Sequence, residues 1–289
     1  MKQRKIPEPK PLFVERIEKL LPDKKDREEY WKITKTPSLT SIRCNTLKIS
    51  PEKLIERLKK YNWKINQPWK DYPEVIVVKG KKPTGHEKEI LIKKDLAKLS
   101  PGELGRTLEH LLGYYYVQEL ASMLPIIALH PKEDELVLDL CAAPGSKTTQ
   151  SSAMMSNTGT IIANEVSMGR MRILASNLER CGATNTIITR KEGRALSRGF
   201  EKYNIKFDKI LVDAPCSGEG TLRSSIQTYI MWNPKSIKSL SHLQKQLFYR
   251  AFEQLKVKGE LVYSTCTHAP EENEEVINSM LHELINKIE

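Results

Sequence analysis

From residue 135 onward the sequence alternates short β-branched runs with longer amphipathic ones, and few architectures accept that rhythm. "ELVLDL" (135–140), "GTIIANE" (159–165), "NTIITR" (185–190), "FDKILVDAP" (207–215) and "GELVYSTC" (259–266) read as strands. "SKTTQSSAMM" (146–155), "MGRMRILASNLERCG" (168–182), "PKSIKSLSHLQKQLFYRAFEQL" (234–255) and "EENEEVINSMLHELINKI" (271–288) read as helices. Strands that alternate with helices of these lengths form a parallel sheet with helices on both faces. The expected fold class is therefore α/β. Such sheets bind ligands at the carboxyl ends of their strands, so the loops leaving those ends are where chemistry belongs.

The first third reads differently. "PLFVERIEKLLP" (11–22) has helical spacing, and "LTSIRCNTL" (39–47) and "EVIVVKG" (74–80) are strand-like. Between the two strands, "SPEKLIERLKKYNW" (50–63) is a helix with Ser50 as its N-cap and Pro51 in its first turn. "SPGELGRTLEHLLGYYY" (100–116) gives a connection and a strand, and "VQELASMLPIIAL" (117–129) a helix. We expect a smaller N-terminal α+β module over residues 1–105 and a catalytic domain over 106–289. Residues 1–100 hold 26 Lys and Arg against 14 Asp and Glu, so the whole net charge of +11 belongs to this third. That asymmetry fits a module that binds a polyanion, with a solvated lysine-rich surface as the alternative.

No apolar h-region follows the basic start "MKQRKIPEPKPLF", and "LPIIAL" (124–129) is too short to span a bilayer. The expectation is a cytoplasmic protein without a membrane partner. Five cysteines, without CxxC and without Cys/His pairs at ligand spacing, suggest neither a disulfide framework nor a metal. Cys44 and Cys181 read as small, half-buried residues.

"LDLCAAPGSKT" (138–148) runs from a strand straight into a helix. Ala142, Ala143 and Gly145 leave its backbone bare enough for a ligand to approach. The next strand ends in Glu165, whose carboxylate can accept both hydroxyls of a ribose or, alternatively, cap a helix. The P-loop pattern GxxxxGK[ST] and the dinucleotide pattern GxGxxG are both absent. A ribose-binding acid without a pyrophosphate cradle points to a nucleoside cofactor lacking phosphates, of which S-adenosylmethionine is the common one.

Two further loops each carry a cysteine: "DAPCSGEGT" (213–221) holds Cys216, and "YSTCT" (263–267) holds Cys266. Together with "CAAPGSKT", "YYYVQELAS" (114–122), "IRCNTLK" (42–48) and the acidic "PEENEEVI", they resemble the RNA cytosine-C5 methyltransferases of the Sun/Fmu and nucleolar Nop2 type. The resemblance runs over residues 40–289 in the family's order. It implies a Rossmann-like S-adenosylmethionine-dependent methyltransferase domain beside a smaller N-terminal α+β RNA-binding domain. It also implies that Cys266 adds to cytosine C6 and that Cys216 assists release of the enzyme. Asp213 and Lys147 fall on positions that contact the polar edge of the base. The implied cofactor positions are Cys141, Ala142, Ala143, Pro144, Gly145, Ser146, Lys147, Glu165, Arg170, Glu192 and Asp213. Ser146 stands where many members have glycine, and Glu192 where aspartate is usual.

The expected substrate is RNA, tRNA ahead of rRNA, bound by a monomer. Two other classes compete. A DNA cytosine-C5 methyltransferase uses the cysteine of the "PC" motif as nucleophile, which leaves Cys266 unexplained. A non-catalytic RNA-binding protein has no use for intact Cys216, Cys266, Asp213 and Lys147.

Overall fold

The computed structural model describes residues 8–36, 38–81, 98–225 and 227–285. The chain divides into two compact units. One comprises residues 39–212 and 254–262; the other gathers the described residues up to Ser38 with 213–253 and those from 263 on.

The first unit contains two sheets. Its five-stranded sheet has the order β7-β6-β5-β8-β9, built from β5 (Leu136–Asp139), β6 (Thr160–Asn164), β7 (Thr186–Thr189), β8 (Phe207–Asp213) and β9 (Leu255–Ser264). β5, β6, β7 and β8 pair in parallel, with Leu138 opposite both Ile162 and Ile210. The last residues of β8 and β9, Asp213 and Tyr263–Ser264, count with the second unit. Ile126 and Leu129 of the helix Leu120–Leu129 pack on Val137, Ile161 and Leu211. Leu174 and Leu178 of the helix Met168–Cys181 pack on Ala142, Ala143 and Ala163. Small residues on the sheet let that helix come close to the loop after β5. This is the α/β architecture that the alternation requires.

The other sheet is antiparallel, in the order β2-β3-β1-β4, from β1 (Ser41–Cys44), β2 (Trp63–Asn66), β3 (Val75–Lys81) and β4 (Tyr115–Val117). The helix Pro51–Leu58, capped by the Ser50 hydroxyl, buries Leu54 and Leu58 against Ile42, Ile76 and Tyr115. The helix expected over 50–63 stops at Leu58. A 3-10 turn follows, Asn62 takes a left-handed conformation (φ 56°), and Trp63 opens β2.

The second unit is largely helical: Pro11–Leu20, Lys24–Thr34, Gln227–Met231, Pro234–Glu253 and Glu274–Leu284. Phe13 and Ile17 sit in a core with Leu222, Tyr229, Trp232, Ile237 and Ala269. Phe13 meets the Trp232 ring edge-on at 5.0 Å between centroids, an arrangement that aromatic quadrupoles favour. Beside this core Arg16 forms a two-pronged ion pair with Glu271 and lies 3.3 Å from buried Glu219. Three helices escape the apolar pattern. Lys24–Thr34 buries no side chain and is held by its Asp23 cap, Gly193–Lys202 carries two glycines, and Gln227–Met231 is a turn and a half.

Candidate active site

The expected site residues fall in both units and are taken unit by unit.

In the first unit, β5 delivers the loop Leu140–Gly145 to the carboxyl edge of the sheet. Leu140 N–H donates to Leu211 O, and Ala142 N–H to Asn164 O. Asn164, the last residue of β6, also donates to the carbonyls of Leu140 and Lys191 and accepts from Thr189 Oγ1. One buried amide thus ties the ends of three strands together. Gly145 is left-handed (φ 98°) and begins the helix Ser146–Met154. A Cβ there would lie 3.0 Å from Leu174 Cδ1, so both conformation and space select glycine.

Glu165 is only 2 % exposed although it is an acid at a strand end. Its carboxylate accepts the Ser167 N–H at 2.8 Å and lies 3.2 Å from Arg170 Nη1. Ser167 is the N-cap of the helix Met168–Cys181. Arg170 donates in turn to Ala143 O at 2.6 Å. The acid, the arginine and the bare loop therefore form one connected edge. The helix N-cap is Ser167, whose own hydroxyl accepts the Arg170 N–H; Glu165 holds the backbone of that cap residue and leaves a buried carboxylate at the strand end. Cys141 is half-buried, Ala142 and Ala143 are buried, and Pro144 is exposed. Lys147 lies in the first helical turn and donates to Ser122 Oγ at 3.3 Å. Glu192 is exposed at the start of Gly193–Lys202, and its side chain makes no cap.

A further residue supports the loop from behind. Arg43 of β1, 3 % exposed, donates to Gln118 Oε1, to Ser146 O at 2.7 Å and to Thr149 Oγ1 at 2.8 Å. Burial lowers its guanidinium pKa to about 10. Tyr116 of β4 adds a second support: Arg43 and Arg180 lie over its ring, and its hydroxyl reaches Pro144 O at 3.4 Å.

In the second unit the two cysteines meet. Cys216 Sγ lies 2.9 Å from Cys266 Sγ, and Cys266 N–H donates to Cys216 Sγ at 3.2 Å. Neither sulfur is in a disulfide. Cys266 is exposed, whereas Cys216 is half-buried. The Cys216 pKa is pushed far above the thiol range, first by its hydrogen bond with Cys266 and then by burial. Asp213 Oδ1 accepts from Ser264 Oγ at 2.7 Å, and Ala214 N–H donates to Ser264 O at 2.9 Å, so the two strand ends run side by side.

The two loops are stitched together. The Ser217 and Thr267 hydroxyls lie 2.8 Å apart, and Gly220 N–H donates to Cys266 O at 2.9 Å. A Cβ on Gly220 would itself fall 2.9 Å from that carbonyl, which leaves room for glycine alone. Asn273 grips the second loop twice, through Thr265 Oγ1 and Thr267 O.

A sequence model of the family described as "16S rRNA methyltransferase RsmB/F" matches residues 126–287. The chain is 38% identical over 276 residues to a ribosomal RNA small subunit methyltransferase F of Erwinia tasmaniensis, covering 94% of this chain and 53% of that protein. The chain thus spans about half the length of the curated relatives it matches. Among solved structures, a methyltransferase homologue from Pyrococcus horikoshii superposes with a TM-score of 0.69 at 36% identity, over 87% of this chain and 72% of that one. NSun6 from Pyrococcus horikoshii, solved with SFG, superposes with a TM-score of 0.78 at 27% identity, over 93% and 86%.

Proposed function

The chain belongs to the RsmB/F family of 16S rRNA methyltransferases, and from that premise we propose that it is an S-adenosylmethionine-dependent RNA cytosine-C5 methyltransferase acting on small-subunit ribosomal RNA. The names of the relatives favour ribosomal RNA over the tRNA that the sequence reading placed first. The observation that carries the reaction is the thiol pair, Cys216 Sγ at 2.9 Å from Cys266 Sγ.

Cytosine C5 is too poor a nucleophile to take a methyl group unaided. Cys266, the exposed thiol, adds through its sulfur to C6, and the electron pair displaced from the C5–C6 double bond makes C5 nucleophilic. Asp213 and Lys147 serve the polar edge of the base, where a carboxylate and an ammonium stabilise the charge that develops during addition. After methylation Cys216 assists loss of the C5 proton; the C5–C6 double bond re-forms as the Cys266 sulfur departs. S-adenosylmethionine, when bound, supplies the methyl group. The residues that would hold it are the loop Cys141–Lys147, Glu165 and Arg170, with Glu192 and Asp213 as further contacts. A buried, charged carboxylate beside a bare loop at the carboxyl edge of the sheet fits a nucleoside ligand.

Separate cysteine variants test the proposal. Cys266→Ala should abolish methyl transfer and form no covalent RNA adduct. Cys216→Ala should still add and methylate but release slowly, so that a denaturation-resistant protein–RNA complex accumulates. Denaturing gels with labelled RNA and cofactor read both results. A complex trapped by Cys266→Ala and none by Cys216→Ala would exchange the roles, as in the DNA-type reaction. Methylation surviving in both variants without an adduct would refute covalent catalysis.

A further inference from the structure

Glu272 belongs to the acidic "PEENEE" segment, yet it is fully buried. Its Oε2 accepts the Ser217 N–H at 3.0 Å and the Gln244 side-chain amide at 2.8 Å. Gln244, also fully buried, donates from the same nitrogen to Pro215 O at 2.9 Å. The pair thus holds the backbone on both sides of Cys216, the carbonyl before it and the N–H after it. The Glu272 main chain is fixed as well, because Tyr263, three residues before Cys266, donates its hydroxyl to Glu272 O at 2.7 Å. Its Oε1 is buried without a hydrogen-bond partner, a cost that a residue serving only to fill space would not carry.

We propose that Glu272 is a positioning residue for the release step: through Ser217 N–H and Gln244 it fixes the Cys216 backbone so that the Cys216 thiol stays against Cys266. This assignment rests on the reaction proposed above for the two cysteines. The side chain acts through hydrogen-bond acceptance at one oxygen, so a glutamine carbonyl can replace it and an alanine cannot.

Two measurements on the full chain separate this proposal from the one beneath it. The first is the accumulation of covalent RNA adduct. Glu272→Ala should behave like Cys216→Ala and trap the adduct, while Glu272→Gln should turn over like the unaltered protein. A purely structural defect would instead depress adduct formation and turnover together, which would overturn the proposal. The second measurement needs no catalysis. Diamide, a diazene, takes two protons and two electrons from a thiol pair; it becomes a hydrazine and leaves a disulfide. The rate at which it joins Cys216 to Cys266 reports how the thiols are held. That rate should fall on the order of tenfold in Glu272→Ala, which removes the acceptor of both hydrogen bonds, and recover in Glu272→Gln. Gln244→Ala, which removes the same clamp from its other end, should slow coupling likewise and stands in if Glu272→Ala fails to fold. Coupling at the unaltered rate in folded Glu272→Ala or Gln244→Ala would refute the proposal. If the unaltered protein neither methylates nor traps RNA, the reaction assigned above fails, and with it the release role, while the coupling rates still decide whether Glu272 holds the thiols together.

Discussion

At the scale of single residues the site is defined by acids that are buried before any ligand arrives. Glu165 already serves the Ser167 N–H and Arg170, so its carboxylate is fixed in place and needs little ordering to meet a ribose. Replacing it with alanine should therefore weaken S-adenosylmethionine binding by about 1.5–3 kcal/mol, the range for hydrogen bonds to a charged group. Calorimetry on folded protein checks this, and unchanged affinity would mean that Glu165 serves only to hold Ser167 and Arg170 in place. Loss of its partner should also loosen Arg170, which alone links that acid to Ala143 O among the contacts described. Glu192 offers a contrast within the same first unit. It is exposed and its side chain makes no cap bond among the described residues, so it is not held in place as Glu165 is.

At the scale of elements, the antiparallel sheet acts as a brace for the parallel one. Arg43 carries the load from β1 to the first turn of Ser146–Met154, through Ser146 O and Thr149 Oγ1. Arg43→Ala would leave buried acceptors without a donor and a void beside Tyr116, and should lower stability by about 3–5 kcal/mol. Denaturant midpoints measure that, and a loss under 1 kcal/mol would show that the helix holds its own place. A second element, the helix Pro11–Leu20, is pinned by Arg16 to Glu271, whose carboxyl pKa is held below the ordinary range by that guanidinium. A carboxyl depressed on folding stabilises fully above its unfolded value of about 4.3, and the contribution fades as pH falls through the folded value. Acid titration below pH 4.3 should then loosen this helix, seen as a change in Trp232 emission that the Glu271→Gln variant lacks. The helix itself, like the five strands of the parallel sheet and the loop after β5, is legible in the sequence because spacing and turn chemistry are local. Arg43, Gln244 and Glu272 are not. Each acts on residues 28 to 106 positions away in sequence, and only the fold reveals which backbone group it serves. The helix Lys24–Thr34 escapes for another reason: it meets the core only through the partly buried Tyr30 and Trp31, so no apolar stripe marks it.

At the scale of the whole molecule, charge and chain order matter most. The positive charge of residues 1–100 should make RNA binding steeply salt-dependent, since each phosphate neutralised releases counterions. Lys64, Lys79 and Lys98 are exposed. Reversing all three should make the slope of log K against log salt shallower by about 1 per lysine that contacts phosphate. Filter binding across a salt series gives the slope, and an unchanged one would reduce these lysines to solvation. The lysines of residues 82–97 lie outside the described residues. Chain order has a consequence of a different kind. Phe13 and Ile17 find their partners at Leu222 to Ala269, more than two hundred residues later. Apart from the nearby Leu21, Tyr30 and Trp31, at roughly 5–20 residues per second on a ribosome the apolar face of the helix Pro11–Leu20 waits on the order of ten seconds or more for the rest of its core. A segment made well before its partners is thus folded late, and during that interval it needs a chaperone's shelter.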